Sequence, residues 1–339
     1  MRAVCYLVPI SLAVSCAAPP RSAPQRSTTA PAAPAPVAAT DLVFTGMCDA
    51  SGAVGLDAHT FVVADDEDNV LRAYDVQRPG PPLWSVDVSS AIGVVPKPNK
   101  AAPEADIEAG TRLGKLAFWL TSHGRNSSGK LKPERLKLFA TTLPEEGVTA
   151  SVAGRPYEQL LDDLLAEPRL ARFDLAQAAA LAPKAKGGLN LEGMTARREG
   201  GVWIGFRNPV PDGAALLVPL LNAEDVIYGE RAQLGAPRLL DLAGYGVRAI
   251  ADHGGRYLVL AGPYDSSRGA RLYSWDGEAA VTLRAEKELE GLSPEGFFTP
   301  DSGRVLVLSD DGSVSVDGVE CKRSKDPSKK RYRARWIEP

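Results

Sequence analysis

Histidine is scarce in this chain: three in 339 residues, at 59, 123 and 253, with no metal-ligand spacing among them. Familiar enzyme signatures are missing too. There is no G-x-S-x-G elbow, no H-E-x-x-H, no P-loop and no G-x-G-x-x-G after a strand. Ser122 and His123 adjoin, but neighbours on a strand point to opposite faces and cannot pair as nucleophile and base. These absences argue against a zinc, serine-nucleophile or nucleotide enzyme. Long apolar runs are absent as well. Beyond the first 16 residues no stretch could cross a bilayer as a helix. Net charge is only −3, which gives no general attraction to nucleic acid.

What is present begins with a targeting segment. Arg2 supplies the positive start, Cys5–Val14 a short apolar core, and Ala13-Val14-Ser15-Cys16 resembles a bacterial lipobox. In lipoproteins the cysteine at this position, here Cys16, carries the lipid. The other reading is an ordinary signal peptide cut near Ala17–Ala18, and both imply export. Residues 17–40 hold six prolines among Ala, Ser and Thr, the composition of a disordered tether. The expected address is the bacterial envelope, an outer-membrane anchor facing the periplasm, with a folded domain over 41–339.

Of four cysteines, Cys5 leaves with the signal and Cys16 takes lipid, so Cys48 and Cys321 remain in the folded part. An oxidising compartment permits a bridge between them. Two separate buried thiols are the alternative.

Repetition is the main signal for the fold. Five positions recur: Ser51, Glu108, Glu192, Arg248 and Glu295. A turn and a strand-like run follow each: Thr60–Ala64, Leu116–Thr121, Val202–Phe206, Tyr257–Ala261 and Val305–Leu308. The residue just past each run lies 14 or 15 positions after the start. Third strands are read at Val70–Val76, Leu136–Leu143, Ala214–Leu221, Ala270–Trp275 and Ser313–Val316. Weaker fourth strands are read at Leu83–Val88, Arg238–Leu242, Ala280–Arg284 and Arg333–Ile337. Spacings of 57, 84, 56 and 47 residues between repeats match one four-stranded propeller blade. The pattern predicts an all-β propeller of about five blades, or six if a divergent one is hidden. An all-β sandwich with evenly spaced hairpins is the competing reading.

The long second interval holds an insertion over 144–188. Tyr157, Leu160, Leu161, Leu164 and Leu165 share one helical face, and a second helix is expected over Asp174–Leu181. It serves either as a lid over one propeller face or as packing against a blade flank. The tail from Cys321 to Arg335 has eight basic residues and one acid, read as a solvated edge or a contact with anionic envelope surfaces.

Chemistry is expected in two places. Inner strands line the channel of a propeller, so Glu108, Glu192 and Glu295 should converge near its axis with Ser51 and Arg248. Like charges so held need arginines or a cation, and Ca²⁺ suits carboxylates aided by Asn190. Alternatively each glutamate accepts hydrogen bonds from the next blade and keeps the repeats in register. The second set ends the constant offset: Asp65, Asp66, Glu67; Ser122, His123, Arg125, Asn126; Arg207, Asn208; Tyr264, Asp265; Asp310, Asp311. All should lie on one face of the disc. Arg125, Arg207 and His123 suit a small anionic ligand, and the aspartates suit a cation or plain turn chemistry.

The segments Cys48-Asp-Ala-Ser-Gly52, Asp106-Ile-Glu-Ala109, Ser122-His-Gly-Arg-Asn126, Leu189-Asn-Leu-Glu-Gly-Met194 and Gly205-Phe-Arg-Asn-Pro209 resemble the bacterial domain-of-unknown-function family 3616, over about 44–318. More remotely the chain is similar to the phytase-type esterase-like propellers, through Glu192–Gly193 and Arg207 alone. The resemblance implies a β-propeller of uncharacterised role and transfers no catalytic residue. The expected protein is a monomeric envelope propeller that binds a small anionic ligand or an envelope protein at one channel mouth, through Glu108, Glu192, Glu295, Arg125, His123, Arg207 and Arg248. The alternatives are a Ca²⁺-assisted phosphoester or ester hydrolase and a structural scaffold.

Overall fold

The structure, a computed structural model, describes residues 41–144, 149–267, 269–300 and 303–339. The targeting segment, Cys5, Cys16 and the tether lie outside the described residues. Among the described residues no helix is long and apolar enough to cross a membrane.

After β1 (Leu42–Thr45), blade one comprises β2 (Ala50–Gly55), β3 (Thr60–Asp65), β4 (Val70–Asp75) and β5 (Trp84–Asp87). Blade two is β6 (Ile107–Leu113), β7 (Leu116–Thr121), β8 (Leu138–Thr142) and β9 (Val152–Tyr157). Helices α1 (Leu160–Ala166) and α2 (Leu175–Ala180) follow it. Blade three is β10 (Asn190–Ala196), β11 (Val202–Asn208), β12 (Ala215–Leu220) and, after the short α3 (Ala223–Val226), β13 (Arg238–Leu240). Blade four is β14 (Gly246–His253), β15 (Arg256–Gly262), β16 (Arg271–Trp275) and β17 (Val281–Ala285). Blade five takes β18 (Pro294–Phe298) and β19 (Val305–Ser309), then skips a small hairpin, β20 (Ser315–Val316) and β21 (Val319–Glu320), to end with β22 (Arg331–Ile337). Each blade is a four-stranded antiparallel sheet, and the fifth is completed by β1, in the order β1-β22-β19-β18. The fold is a five-bladed β-propeller.

Each blade packs both faces against neighbours, so second strands bury almost every residue, as in β11 and β19. Their sequences are therefore continuous apolar runs, which is why they stood out. Outermost strands alternate or face solvent, as in β5 and β17, and give a weak signal. Five separate apolar clusters fill the five interblade wedges. The wedge between blades five and one closes the ring around an aromatic group. Phe44 stacks on Tyr332 with centroids 5.3 Å apart, and Phe61 stacks on Phe298 at 4.9 Å. At the same seam Cys48 and Cys321 form a disulfide across 273 positions of chain.

Three sequence readings change. The third strand of blade five is β22, not Ser313–Val316, because those residues turn back in the β20–β21 hairpin. The fourth strand is β1, from the other end of the chain. Blade two has a fourth strand, β9, within the stretch read as a helical insertion, and Tyr157 ends that strand instead of starting a helix. Leu160, Leu161, Leu164, Leu175 and Ala178 pack with Phe118, Leu138 and Leu216 between blades two and three, so the helices cover a flank. Leu165 is exposed.

Candidate functional site at the head of the central channel

Every inner strand carries an irregularity at the same place. In the hairpins of blades two to five, pairing jumps from Ile107 to Ala109, Leu191 to Gly193, Val247 to Ala249 and Pro294 to Gly296. In blade one it jumps from Ala50 to Ala53. The skipped residues include Ser51, Glu108, Glu192, Arg248 and Glu295. A β-bulge leaves one residue unpaired and re-aims its side chain, so the five recurring positions are five bulges. The glycines that follow them are a packing requirement. A Cβ on Gly52 would come within 2.5 Å of the backbone of Ala109, and one on Gly193 within 2.6 Å of Val247. Inner strands converge near the axis, so at Gly52, Gly193 and Gly296 only a bare backbone fits, while the equivalent positions after Glu108 and Arg248 take the small Ala109 and Ala249.

The five bulge residues do different work. Ser51 Oγ donates to the carbonyl of Ile107 at 2.5 Å, tying blade one to blade two. Glu192 accepts on Oε1 from Arg207 Nη1 at 2.6 Å and from Asn190 Nδ2 at 2.7 Å. Its Oε2 lies 3.6 Å from Arg248 Nε. Arg248 pairs through Nη2 with Glu295 Oε1. Burial, then the neighbouring Arg207, pulls Arg248 down to about 10, which leaves it charged at neutral pH. These two arginines offset Glu192 and one oxygen of Glu295.

They do not offset the rest. Asp66, Glu108 and Glu295 each offer a carboxylate oxygen, all within 4.8 Å of one another. Glu108 is 7 % exposed and, among the described residues, makes no hydrogen bond or ion pair. Oδ1 of Asp66 is buried without a hydrogen-bond partner. Burial, then Glu192 and Asp106, drives Glu108 well above the usual carboxylate range. Burial, then Glu108 and Asp65, does the same to Asp66. Asp49 and Asp65 form a second close group with Asp66. Asp65 is pushed up to about 7 by burial and Asp68, and Asp49 to about 9 by burial and its hydrogen bond to Asp310.

The triad able to hold a cation is thus Asp66, Glu108 and Glu295. Glu192, expected as a ligand, is held by arginines. Asp66 belongs to the offset set rather than to the bulge set, so spacing alone did not place it with the glutamates. Below the triad a cavity of 420 Å³ follows the channel, with Val54, Met194, Ile250 and Phe297 among its walls and Glu108, Glu192 and Glu295 also lining it.

The remaining members of the second set divide. Asp311 accepts from the backbone N–H and guanidinium of Arg333 at 2.8 to 2.9 Å, pinning β22 at the seam. Arg335 pairs with Asp41 at 2.6 Å, so these two basic tail residues seal the ring. Arg125 donates Nε to the carbonyl of Ala179 at 2.8 Å and Nη1 to that of Gly129 at 3.2 Å, on the α2 side. Arg207 also donates to the carbonyl of Pro263 and to Ser266 Oγ. His123 is 1 % exposed with Nδ1 against the carbonyl of Thr121, and burial lowers it to about 4, so it is neutral. Asn208 Nδ2 caps the carbonyls of Pro183 and Ala185. Asp65 and Asp265 accept from turn N–H groups two residues on.

A five-bladed propeller with bulge-borne carboxylates at the head of its channel is the class that fold and site define. The profile of the family described as Protein of unknown function (DUF3616) matches residues 138–294, so that this part of the chain is similar to that family. No curated protein matches the sequence. Among solved structures, glutaminyl cyclase of Myxococcus xanthus is similar at 12 % identity and a TM-score of 0.46, covering 88 % of this chain and 94 % of that one. The PQQ-bound aldose sugar dehydrogenase of Streptomyces coelicolor is 12 % identical with a TM-score of 0.42, covering 89 % and 100 %. The exo-β-1,3-galactanase of Phanerochaete chrysosporium is 10 % identical with a TM-score of 0.45, covering 88 % and 63 %. At such identities the likenesses say nothing of this chain's chemistry.

Proposed function

We propose that the protein is an envelope-tethered binding module whose channel holds a hard divalent cation, such as Ca²⁺, between Asp66, Glu108 and Glu295. The observation that carries this reading is Glu108, a buried carboxylate beside two others that has no hydrogen-bond or ion-pair partner among the described residues. Carboxylates so placed stay ionised only if a cation joins them, and an all-oxygen set suits Ca²⁺. A cation fits better than the small anion suggested by Arg125, Arg207 and His123. Those arginines spend donors inside the protein, and His123 is uncharged. The channel below leaves room for the ligand or partner presented to the ion. Export and lipid anchoring at Cys16 remain part of the proposal, supported by a disulfide suited to an oxidising compartment, and the module is taken to act as a monomer.

Ca²⁺-assisted ester or phosphoester hydrolysis is the second reading, favoured by the open space beside the triad. A bound ion there would polarise substrate and activate water. A plain scaffold is the third. Thermal unfolding of residues 41–339 with Ca²⁺ and with chelator separates the two cation readings from a plain scaffold, and a phosphoester assay separates those two from each other. We expect Ca²⁺ to raise the midpoint by several degrees through binding linkage, with the effect lost in Glu108→Gln and kept in Glu192→Gln. No shift at millimolar Ca²⁺ would overturn the cation reading and leave partner binding to be sought. Phosphoester turnover that needs Ca²⁺ and Glu108 would favour the hydrolase.

A further inference from the structure

A second cavity, of 610 Å³, opens on the flank of blades one and two, apart from the channel. One wall is the connection from β5 to β6, and the other is the connection from β7 to β8 with Glu158 beyond β9. Its charged lining is Lys97, Lys100, Lys132, Lys137, Glu134 and Glu158. Four ammonium groups thus face two carboxylates, an excess of positive charge within a protein of net charge −3.

The lysines are held in place by local structure. Lys97-Pro98-Asn99-Lys100 is a turn closed by the N–H of Lys100 on the carbonyl of Lys97 at 3.0 Å. Proline at the second position and a left-handed Asn99, with φ of 59°, are the requirements of a type II turn, which keeps its first and fourth residues close. The turn is tethered on both sides. Val94 is buried and its N–H donates to Ser89, while Asn69 Nδ2 donates to the carbonyl of Pro103 at 3.0 Å. Among the described residues neither Lys97 nor Lys100 has an ion pair.

Opposite the turn, Lys137 is 3 % exposed, an unusual burial for lysine. Its backbone is fixed by Thr121, and its Nζ meets Glu158 Oε1 at 2.5 Å. The Glu158 side chain is 60 % exposed, so the partner of this buried ammonium is free to leave for water. Lys132 is likewise half matched, by Glu134 at 3.3 Å.

We propose that this cavity is a binding site for a doubly charged oxyanion, phosphate or a phosphate monoester. The anion would take the place of Glu158 on Lys137 and be closed in by Lys97 and Lys100. Ammonium groups on flexible stems bind phosphate as point charges, so no planar fork is required. The same chemistry could come from a free phosphate or from a lipid headgroup at the envelope surface.

The test uses the full chain carrying Cys16→Ser, so that no lipid anchor contributes, and titrates inorganic phosphate by calorimetry. Saturable binding is expected. Lys97→Ser with Lys100→Ser, both on a loop turn, should weaken it roughly tenfold. Glu158→Gln should tighten it, because the competing carboxylate is gone. In parallel, flotation with phosphatidic acid vesicles, whose headgroup is a phosphate monoester, against phosphatidylcholine vesicles identifies the source. Binding to the anionic vesicles that the double variant loses assigns a lipid headgroup, and phosphate binding without it assigns a free ligand. Absence of both, or binding indifferent to the double variant and to Glu158→Gln, overturns the proposal.

Discussion

Arg207 holds Glu192 across the β10–β11 hairpin, Nη1 to Oε1 at 2.6 Å, with both side chains almost wholly out of water. Two ions so buried repay their desolvation only while both are present. Arg207→Ala therefore strands a buried carboxylate and should cost about 3–5 kcal/mol in chemical denaturation. Replacing both by methionine should restore much of the loss, since an apolar pair needs no charge partner. A double variant no more stable than Arg207→Ala would show that the pair does more than satisfy itself.

Acidic groups at the channel head set the pH response. Burial lifts Asp65 from 3.8 to about 7 and Asp49 from 3.8 to about 9. Each binds its proton more tightly folded than unfolded, so the folded state gains stability where the proton is held. That gain is fully present below the unfolded value and is lost as pH rises through the folded one. Without added cation, stability should fall between about pH 4 and 9, and Asp49→Asn should flatten the upper part. Denaturation midpoints across this range check it, and Ca²⁺ should reduce the slope by holding Asp66 and Glu108 ionised.

The seam disulfide closes a loop of 273 residues in sequence separation. Chain-entropy estimates give roughly 5–6 kcal/mol for such a loop, less wherever the unfolded chain keeps structure. Reduction, or Cys48→Ser with Cys321→Ser, should lower the unfolding midpoint clearly while blade aromatics still close the ring. Far-ultraviolet circular dichroism on heating, with and without reductant, measures it.

Crowding at the axis predicts which glycines resist change. A Cβ on Gly296 would be driven into the carbonyl oxygen of Ser51 on the next blade, whereas one on Gly269 meets nothing within 4 Å. Gly296→Ala should cost about 1–3 kcal/mol or more, and Gly269→Ala should be near neutral. Equal effects would mean that the inner strands have slack.

The sequence by itself determined the repeat. Second strands are buried on both faces, so Phe61–Ala64 and Val305–Leu308 read as apolar runs, and one bulge per hairpin keeps the interval to the next polar residue nearly constant. Cys48 and Cys321 were also legible, because two cysteines at opposite ends of a closing ring have few other uses. Outer strands were harder. β9 is partly exposed, and β1 pairs with β22 from the far end of the chain, so neither carries a local signature. Tertiary structure alone decided how the charges were shared. Which of Glu108, Glu192 and Glu295 is neutralised depends on where Arg207 and Arg248 reach across blades, through distances of a few ångströms that no spacing encodes. It also brought Asp66, from the end of a second strand, to the glutamates of two other blades, because closing the ring sets chain segments far apart in sequence around one axis.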